Sequence, residues 1–384
     1  VRFPGLNTKP LWLADSGPEY PALERDVSVD ALVVGGGITG ATAAYLLKQS
    51  GCKVALVERG RIGGGETGHT TAHLTCVTDI RLHRLLRDFG RDHAQAAWDA
   101  GQFAVEEIFA IAAREGIECG LRRVPGYLFA ALGSDSGDET EELHREAHLA
   151  AELGFDADFV SAVPLAGRPG IRFANQGEFH PVRYLRALAA KIPGDGSFVF
   201  EESAAGEFSD APVRTKVNGH TVRHERCVIA THVPLQGRSS TLSATLRQTK
   251  LAAYSTYAVG GRVPKGRYPH ALYWDTAHPY IYVRIHGGES EDYAIVGGED
   301  HKTGQTDAAA KFERLRDVAH GLLPDACFDH EWSGQVIETP DGLPLIGETE
   351  PGEFVATGFG GNGMTFGTLA AIMARDWALG LVIP

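Results

Sequence analysis

The alternation of apolar and polar residues along the chain changes period several times, and each change marks an element. Asp30 to Val34 (DALVV) is a short unbroken apolar run ending in glycines, the pattern of a strand buried on both faces. From Ile38 to Ser50 the apolar residues return at helical spacing, with Ala41, Ala44, Tyr45 and Leu47 on one face, and Gly51 stops the helix. Lys53 to Val57 reads as a second buried strand. A strand, turn, helix and strand within about 30 residues open a doubly wound parallel sheet.

The same reading predicts helices over 79–89, 91–115 and 307–323, an acidic helix over 138–153, and a helix from Pro181 to Ile192 opened by its proline. It predicts strands over 122–132, from Phe198 to Phe200 and from Cys227 to Ala230. Residues 251–299 are rich in Tyr, Val, Ile and Trp and carry turn signals at Pro264, Pro269, Pro279 and Gly287-Gly288, which predicts an antiparallel sheet. A strand from Glu353 to Ala356, a glycine cluster at 358–363 and a helix over 364–380 close the chain. Residues 1–27 are Pro-rich, with Trp12 and Tyr20, and read as an extended arm lying on the protein. No internal repeat or low-complexity tract interrupts this order.

Composition narrows the classes. The chain has 384 residues, 43% hydrophobic and 22% charged, which excludes a mainly disordered protein and predicts two or three domains. Its net charge of −13 and lack of a basic run argue against nucleic-acid binding and against anionic lipid. No apolar run reaches the roughly 18 residues of a membrane span. No secretory signal pattern is seen behind Val1, so a cytoplasmic location is expected. Five scattered cysteines without a CxxC or CxH spacing predict neither a disulfide framework nor a metal site. The 47 glycines fall in short clusters, which points to backbone brought close to a ligand.

The first cluster carries the clearest chemistry. Gly35-Gly36-Gly37-Ile38-Thr39-Gly40 matches G-x-G-x-x-G, follows a strand, opens a helix, and is followed by Glu58 at the end of the next strand. Gly35 would make the tight turn, Gly37 let backbone N–H groups approach a diphosphate, and Gly40 let helix and strand pack closely, while Glu58 accepts from ribose hydroxyls. A glycine turn without a ligand is the plain alternative. Arg59 to Thr71 (RGRIGGGETGHTT) adds a second glycine-rich loop, with Gly65, Thr67, His69, Thr70 and Thr71, directly after the acidic strand end. Its hydroxyls suit phosphate or ribityl oxygens and a cofactor longer than a nicotinamide dinucleotide needs. Far along the chain, Gly358, Gly360, Gly361, Asn362, Gly363, Met364 and Thr365 again place glycines before a helix, where backbone N–H groups can meet negative charge, or can simply form a packed turn. Arg59, Ala204, Ala230 and Thr231 complete the cofactor-binding set.

These segments resemble the FAD-dependent oxidoreductases of the D-amino acid oxidase type, in the glycine, sarcosine and glutamylputrescine oxidase branch. The matching parts are VVGGGITG (33–40), Glu58, RIGGGETGHTT (61–71), VIATH (228–232), TPDGLPLIG (339–347) and ATGFGGNGM (356–364), in the family's order. A narrower likeness, in PLW, GHTTAHLT (68–75), ATHVP (230–234) and GGEDHKTGQ (297–305), is to bacterial members carrying a C-terminal Rieske domain, whose ligands this chain lacks. The resemblance implies an α/β fold in which a Rossmann-like FAD-binding domain (28–78, 145–235 and 330–384) interleaves with an α+β substrate domain containing an antiparallel sheet (79–144 and 236–329). It also implies FAD as cofactor, a small amine or amino-acid substrate, and oxygen or a redox protein as electron acceptor. Non-covalent FAD is expected, because Gln335 and Val336 stand where some members place a linking Cys; His69 is the single candidate for a covalent link.

Hydride transfer from an amine carbon requires positioning and desolvation more than a strong base. Period-two alternation puts Tyr280, Tyr282, Arg284 and His286 on one strand face. Arg284 is the candidate carboxylate clamp, with Tyr282 beside it, unless this is an exposed polar face. His232 and His180 are the further catalytic candidates, each with a structural role as its alternative. Oxygen-reacting sarcosine oxidases hold a Lys over the flavin, and Tyr293 to Gly298 offers none, which favours a dehydrogenase or an unusual substrate. Three readings follow: an amine or amino-acid oxidase, a dehydrogenase passing electrons to a Rieske-type or other protein, and a flavin-binding subunit without turnover of its own.

Overall fold

The structure is a computed structural model that describes residues 7–133, 137–210, 213–234, 250–305 and 307–381. Residues 1–6 of the expected arm and 236–249 of the expected substrate domain lie outside the described residues.

A six-stranded sheet forms one half of the fold, in the order Leu345–Glu350, Glu353–Thr357, Arg226–Ile229, Ala31–Val34, Val54–Val57, Phe198–Phe200. All neighbours are parallel except the first pair. The strands Ala31–Val34 and Val54–Val57 are buried at every position, because both faces of the sheet are covered. Ala31, Val33, Val54 and Leu56 pack against the helices Ile38–Gln49, Pro181–Ala189 and Gly363–Ala378. Leu32, Val34, Ala55 and Val57 face the other way, against Val217 and Val222 of a four-stranded sheet built from Val27–Ser28, Ala205–Asp210, Val213–Val217 and His220–Arg223.

A large second sheet forms the other half, in the order Cys327–Glu338, Ala252–Val263, Asp292–Lys302, Tyr282–Gly287, Leu272–Asp275, Arg122–Phe129, Gly170–Glu178, His73–Leu74, with Ala157–Val160 also paired to Gly170–Glu178. Its pairs are antiparallel apart from Leu272–Asp275 beside Arg122–Phe129. The helix Ala308–Leu322 covers one face through Leu315 and Ala319, which pack on Tyr257, Val259, Val283 and Ile285. The helices Leu82–Phe89, Arg91–Glu115 and Gly137–Glu152 gather around Trp98 in a separate apolar cluster.

The fold is thus the expected α/β architecture, with two departures in the allocation of segments. Ala157–Val160 and Gly170–Glu178 hydrogen-bond to Arg122–Phe129, so 145–235 does not belong wholly to the nucleotide-binding half. Cys327–Glu338 likewise extends the large sheet past residue 330 by pairing along the whole of Ala252–Arg262. Each segment follows its hydrogen-bond partners, which a linear reading does not show. In the described part of 1–27, Trp12 is 2% exposed, and its Nε1 donates to the Thr70 carbonyl at 2.6 Å.

Candidate active site

The C-terminal ends of Ala31–Val34, Arg226–Ile229 and Glu353–Thr357 meet side by side, the place where doubly wound sheets receive ligands. Gly35 turns there with φ +108°, and a Cβ on it would stand 2.4 Å from the Ala230 carbonyl oxygen. A Cβ on Gly40 would stand 1.8 Å from the Gly35 oxygen. Backbone alone fits at both positions. Gly37 caps the helix Ile38–Gln49 without a side-chain acceptor, and Thr67 Oγ1 accepts from Ile38 N at 3.1 Å. Ile38 and Thr39 are buried, so their backbone is what they present to the turn. Glu58 folds over the loop: its two oxygens accept from Gly36 N at 2.6 Å and Gly60 N at 2.8 Å. Arg59 and Ala204 are exposed and directly follow Glu58 and Ser203, which are tied by Ser203 N donating to the Glu58 main-chain carbonyl at 2.8 Å.

The second glycine-rich loop is held from below. Gly65 caps the short helix Glu66–His69, and His69 Nδ1 lies 2.9 Å from the Gly65 carbonyl. Trp332 Nε1 donates to the His69 carbonyl at 2.8 Å, so His69 sits against the strand Cys327–Glu338. Thr70 is fixed by Trp12, and the Thr71 and Ala72 carbonyls both accept from Arg284 NH1 at 3.1 Å.

That contact corrects the expected role of Arg284. Its Nε donates to Glu178 at 3.2 Å and its NH2 to the Phe179 carbonyl at 2.8 Å, so four of its donors have protein acceptors. It is 2% exposed and lies over the Trp12 ring. Burial lowers its pKa to about 10 against the opposing pull of Glu178. It clamps a loop, and a substrate carboxylate has little access to it. His180 is likewise committed: it caps Pro181–Ala189 by accepting from Arg183 N at 3.3 Å and stands edge-on to Trp12. Burial pushes its imidazole down to about 4.

Tyr282 is half-buried at the start of the strand Tyr282–Gly287. Its hydroxyl is 2.7 Å from Thr256 Oγ1, its ring is edge-on to His73, and Tyr280 lies 5.5 Å away, centroid to centroid. Tyr280 Oη donates to Asp79 Oδ1 at 3.4 Å, and Asp79 Oδ2 accepts from Gly361 N at 2.6 Å. The tyrosine face therefore closes directly onto the 358–363 glycines, of which Gly358 and Gly360 have φ of +76° and +55°. A Cβ on Gly361 would lie 2.7 Å from Tyr280 Oη. Gly363 begins the following helix, and Asn362 and Thr365 turn inward, donating to the Val77 and Thr75 carbonyls, while Met364 is buried. Their side chains brace the 75–79 segment, leaving backbone to the cleft.

The group is acidic. Asp79 keeps exposed surface, yet desolvation raises its carboxyl pKa, opposed by the bonds from Gly361 and Tyr280. Burial raises Asp300 to about 6, opposed by its bond from Thr256, with Asp79 and Glu338 adding repulsion. Burial also raises Glu338, again with Asp79 beside it. His73 is pushed down to about 3 by burial, then by Arg284, and is therefore neutral.

Residues 30–377 match the family described as DAO, FAD dependent oxidoreductase. The chain belongs to that family. Among curated relatives it is 30% identical to the putative Rieske 2Fe-2S iron-sulfur protein YhfW of Bacillus subtilis (strain 168), over 94% of this chain and 70% of that protein. It is 23% identical to the gamma-glutamylputrescine oxidoreductase of Escherichia coli (strain K12), over 93% of this chain and 85% of that protein. The crystal structure of glycine oxidase from Geobacillus kaustophilus superposes with a TM-score of 0.76 at 19% identity, covering 93% of this chain and 96% of that one. The protein is an FAD-dependent oxidoreductase.

The residues fit FAD. The glycine cradle admits no Cβ at Gly35 or Gly40, and the helix starts at Ile38 and Gly363 have no side-chain cap from their own N-cap residues. When bound, FAD supplies the two-electron acceptor. Of the expected site residues, the structure gathers the 35–40 loop, Glu58, Thr67, Ala230 and the 358–363 glycines at the sheet ends, and Tyr282 beside Tyr280. The sequence reading missed His73, Asp79, Thr256, Asp300 and Glu338. His73 shares the GHTTAH run with His69, and Asp300 lies in GGEDH, so both were within motifs already noticed. Asp79 and Thr256 carry no local signal, and only the closing of the two halves brings them together. Among the described residues no helix is long and apolar enough to cross a membrane.

Proposed function

We propose that the chain oxidises the C–N bond of an amine by hydride transfer to the flavin, and that it prefers substrates whose recognised end is cationic rather than carboxylate. The observation that carries this is the set of side chains closing on the 358–363 glycines. Asp79, Asp300 and Glu338 stand there with Tyr280, Tyr282 and Thr256, while the nearby Arg284 is used up by Glu178 and three carbonyls. Carboxylates in a low-dielectric cleft attract an ammonium group and repel a carboxylate. The tyrosine faces add favourable contact with a desolvated cation.

The test is anaerobic reduction of the bound flavin by a panel of mono- and diamines set beside α-amino acids. Bleaching of the flavin band at lower concentrations of amine supports the reading. Reduction by α-amino acids alone contradicts it.

A second reading concerns the acceptor. The Bacillus subtilis relative carries an iron–sulfur protein's name, and this chain spans 70% of it. A protein acceptor is therefore a second reading beside oxygen. Stoichiometric hydrogen peroxide during turnover would support oxygen, and turnover only with an added one-electron carrier would support the protein acceptor.

A further inference from the structure

The strand Arg226–Ile229 ends in an unusual turn. Val233 N donates to the Thr231 carbonyl at 2.7 Å, closing a three-residue loop whose central residue, His232, has φ +65°. A γ-turn with positive central φ is the rare and strained form, and a non-glycine residue there persists only when its surroundings hold it. Here they do. Thr357 Oγ1 donates to the His232 carbonyl at 2.6 Å, Thr231 Oγ1 to the Val233 carbonyl at 3.3 Å, and Ala230 N to the Val34 carbonyl at 2.9 Å.

The ring that this turn presents is half-buried, and its Nε2 is buried without a partner among the described residues. Burial lowers its pKa, with Glu66 pulling the other way, so the imidazole is neutral near pH 7. Glu66 itself is engaged, its Oε2 accepting from Gln335 N at 2.6 Å. An unpaired buried nitrogen on a strained turn calls for a partner beyond the described residues.

Strand order says which part of the cofactor that is. Glu58 follows Val54–Val57, the glycine turn follows Ala31–Val34, and His232 follows Arg226–Ile229, in consecutive places across the sheet. A linear dinucleotide with its ribose at Glu58 and its diphosphate at 35–40 continues over the end of Arg226–Ile229. We propose that His232 is a binding residue for the ribityl–flavin half of FAD, hydrogen-bonded to it through its imidazole and held in place by the strained turn. This rests on the family's cofactor and not on the choice of substrate.

The experiment follows FAD release from the holoprotein, as flavin fluorescence recovers on dilution, for wild type, His232→Gly and His232→Asn. Glycine relaxes the turn and deletes the ring. Asparagine also tolerates the left-handed backbone but keeps a hydrogen-bonding amide. The expected result is FAD release about 3- to 10-fold faster in His232→Gly, a shifted flavin absorption band, and an intermediate rate for His232→Asn. Equal release rates with an unshifted band overturn the proposal and leave the ring satisfied by water. If the glycine variant does not accumulate, the asparagine variant decides alone: faster release with a shifted band supports the proposal, and no change in either overturns it. Neither readout involves an amine, so a failure of the substrate reading leaves the result interpretable.

Discussion

Arg284 and Glu178 form an ion pair at 3.2 Å in which neither side chain is more than 2% exposed. Arg122 also pairs with Glu178 from the rim of the sheet, so one buried carboxylate lies between two guanidinium groups. This cluster ties the large sheet to the loop 70–72 that borders the cofactor cleft. Replacing Arg284 by Leu leaves Glu178 with one partner and frees three carbonyls. The expected loss is about 3 kcal/mol of stability, the lower end for breaking a buried pair, because Arg122 remains. Thermal unfolding of the holoprotein reads it. A variant of unchanged stability that loses affinity for carboxylate substrates alone would restore the clamp role.

Trp12 supports the same loop from the other side. Its Nε1 holds the Thr70 carbonyl and its ring underlies Arg284. Trp12→Ala is expected to destabilise the protein by about 3–5 kcal/mol. It should also speed FAD release, because the arm is then no longer tied to the 70–72 loop. Unfolding of holoprotein and flavin fluorescence measured together check both parts.

Gly361 packs tightly against Tyr280 and Asp79. A Cβ there would stand 2.7 Å from Tyr280 Oη and 2.9 Å from both Asp79 oxygens. Gly361→Ala should displace this pair, raising KM for amines by about tenfold, the equivalent of roughly 1.4 kcal/mol. FAD release should change less than in Gly35→Ala, because Gly361 is only one of the glycines expected to meet the cofactor. Loss of FAD with unchanged KM in the fraction still loaded would contradict the placement.

Asp300 gives a pH signature. Its carboxyl is raised from 3.8 to about 6, first by burial. The charged form is therefore the one disfavoured in the fold. The stability this group contributes is complete below about pH 4 and is lost as pH rises through about 6. Cation binding runs the opposite way, because it needs the ionised carboxylate: KM for a diamine should fall as pH rises from 5 to 7. Asp300→Asn should flatten that profile and raise KM at pH 7.5 by about 10- to 100-fold, the range of a hydrogen bond to a charged group. Steady-state kinetics across pH reads both, and an unaltered profile would remove Asp300 from the site.

Most of the α/β framework was legible because its signals are local. DALVV, the helix after Gly40 and the strand ending at Glu58 each follow from a few adjacent residues, as do the glycines at 358–363. The strands Gly170–Glu178 and Cys327–Glu338 were missed because polar residues interrupt them. Asn175 adopts φ +59° within the first, and Asp329, His330 and Glu331 fall in the second. Arg284 shows the limit most clearly. Alternation put it on the same strand face as Tyr282 and His286, but Glu178, 106 residues away, decides what the guanidinium does. The acidic group of Asp79, Asp300 and Glu338 was hidden for the same reason, since its members come from three distant segments.

The most direct test of the account is the absorption spectrum of the purified protein during anaerobic titration with a diamine and, separately, with glycine. The account predicts a flavin band that the diamine bleaches at the lower concentration. A protein that neither contains nor takes up FAD, or one whose flavin glycine reduces and the diamine does not, would contradict it.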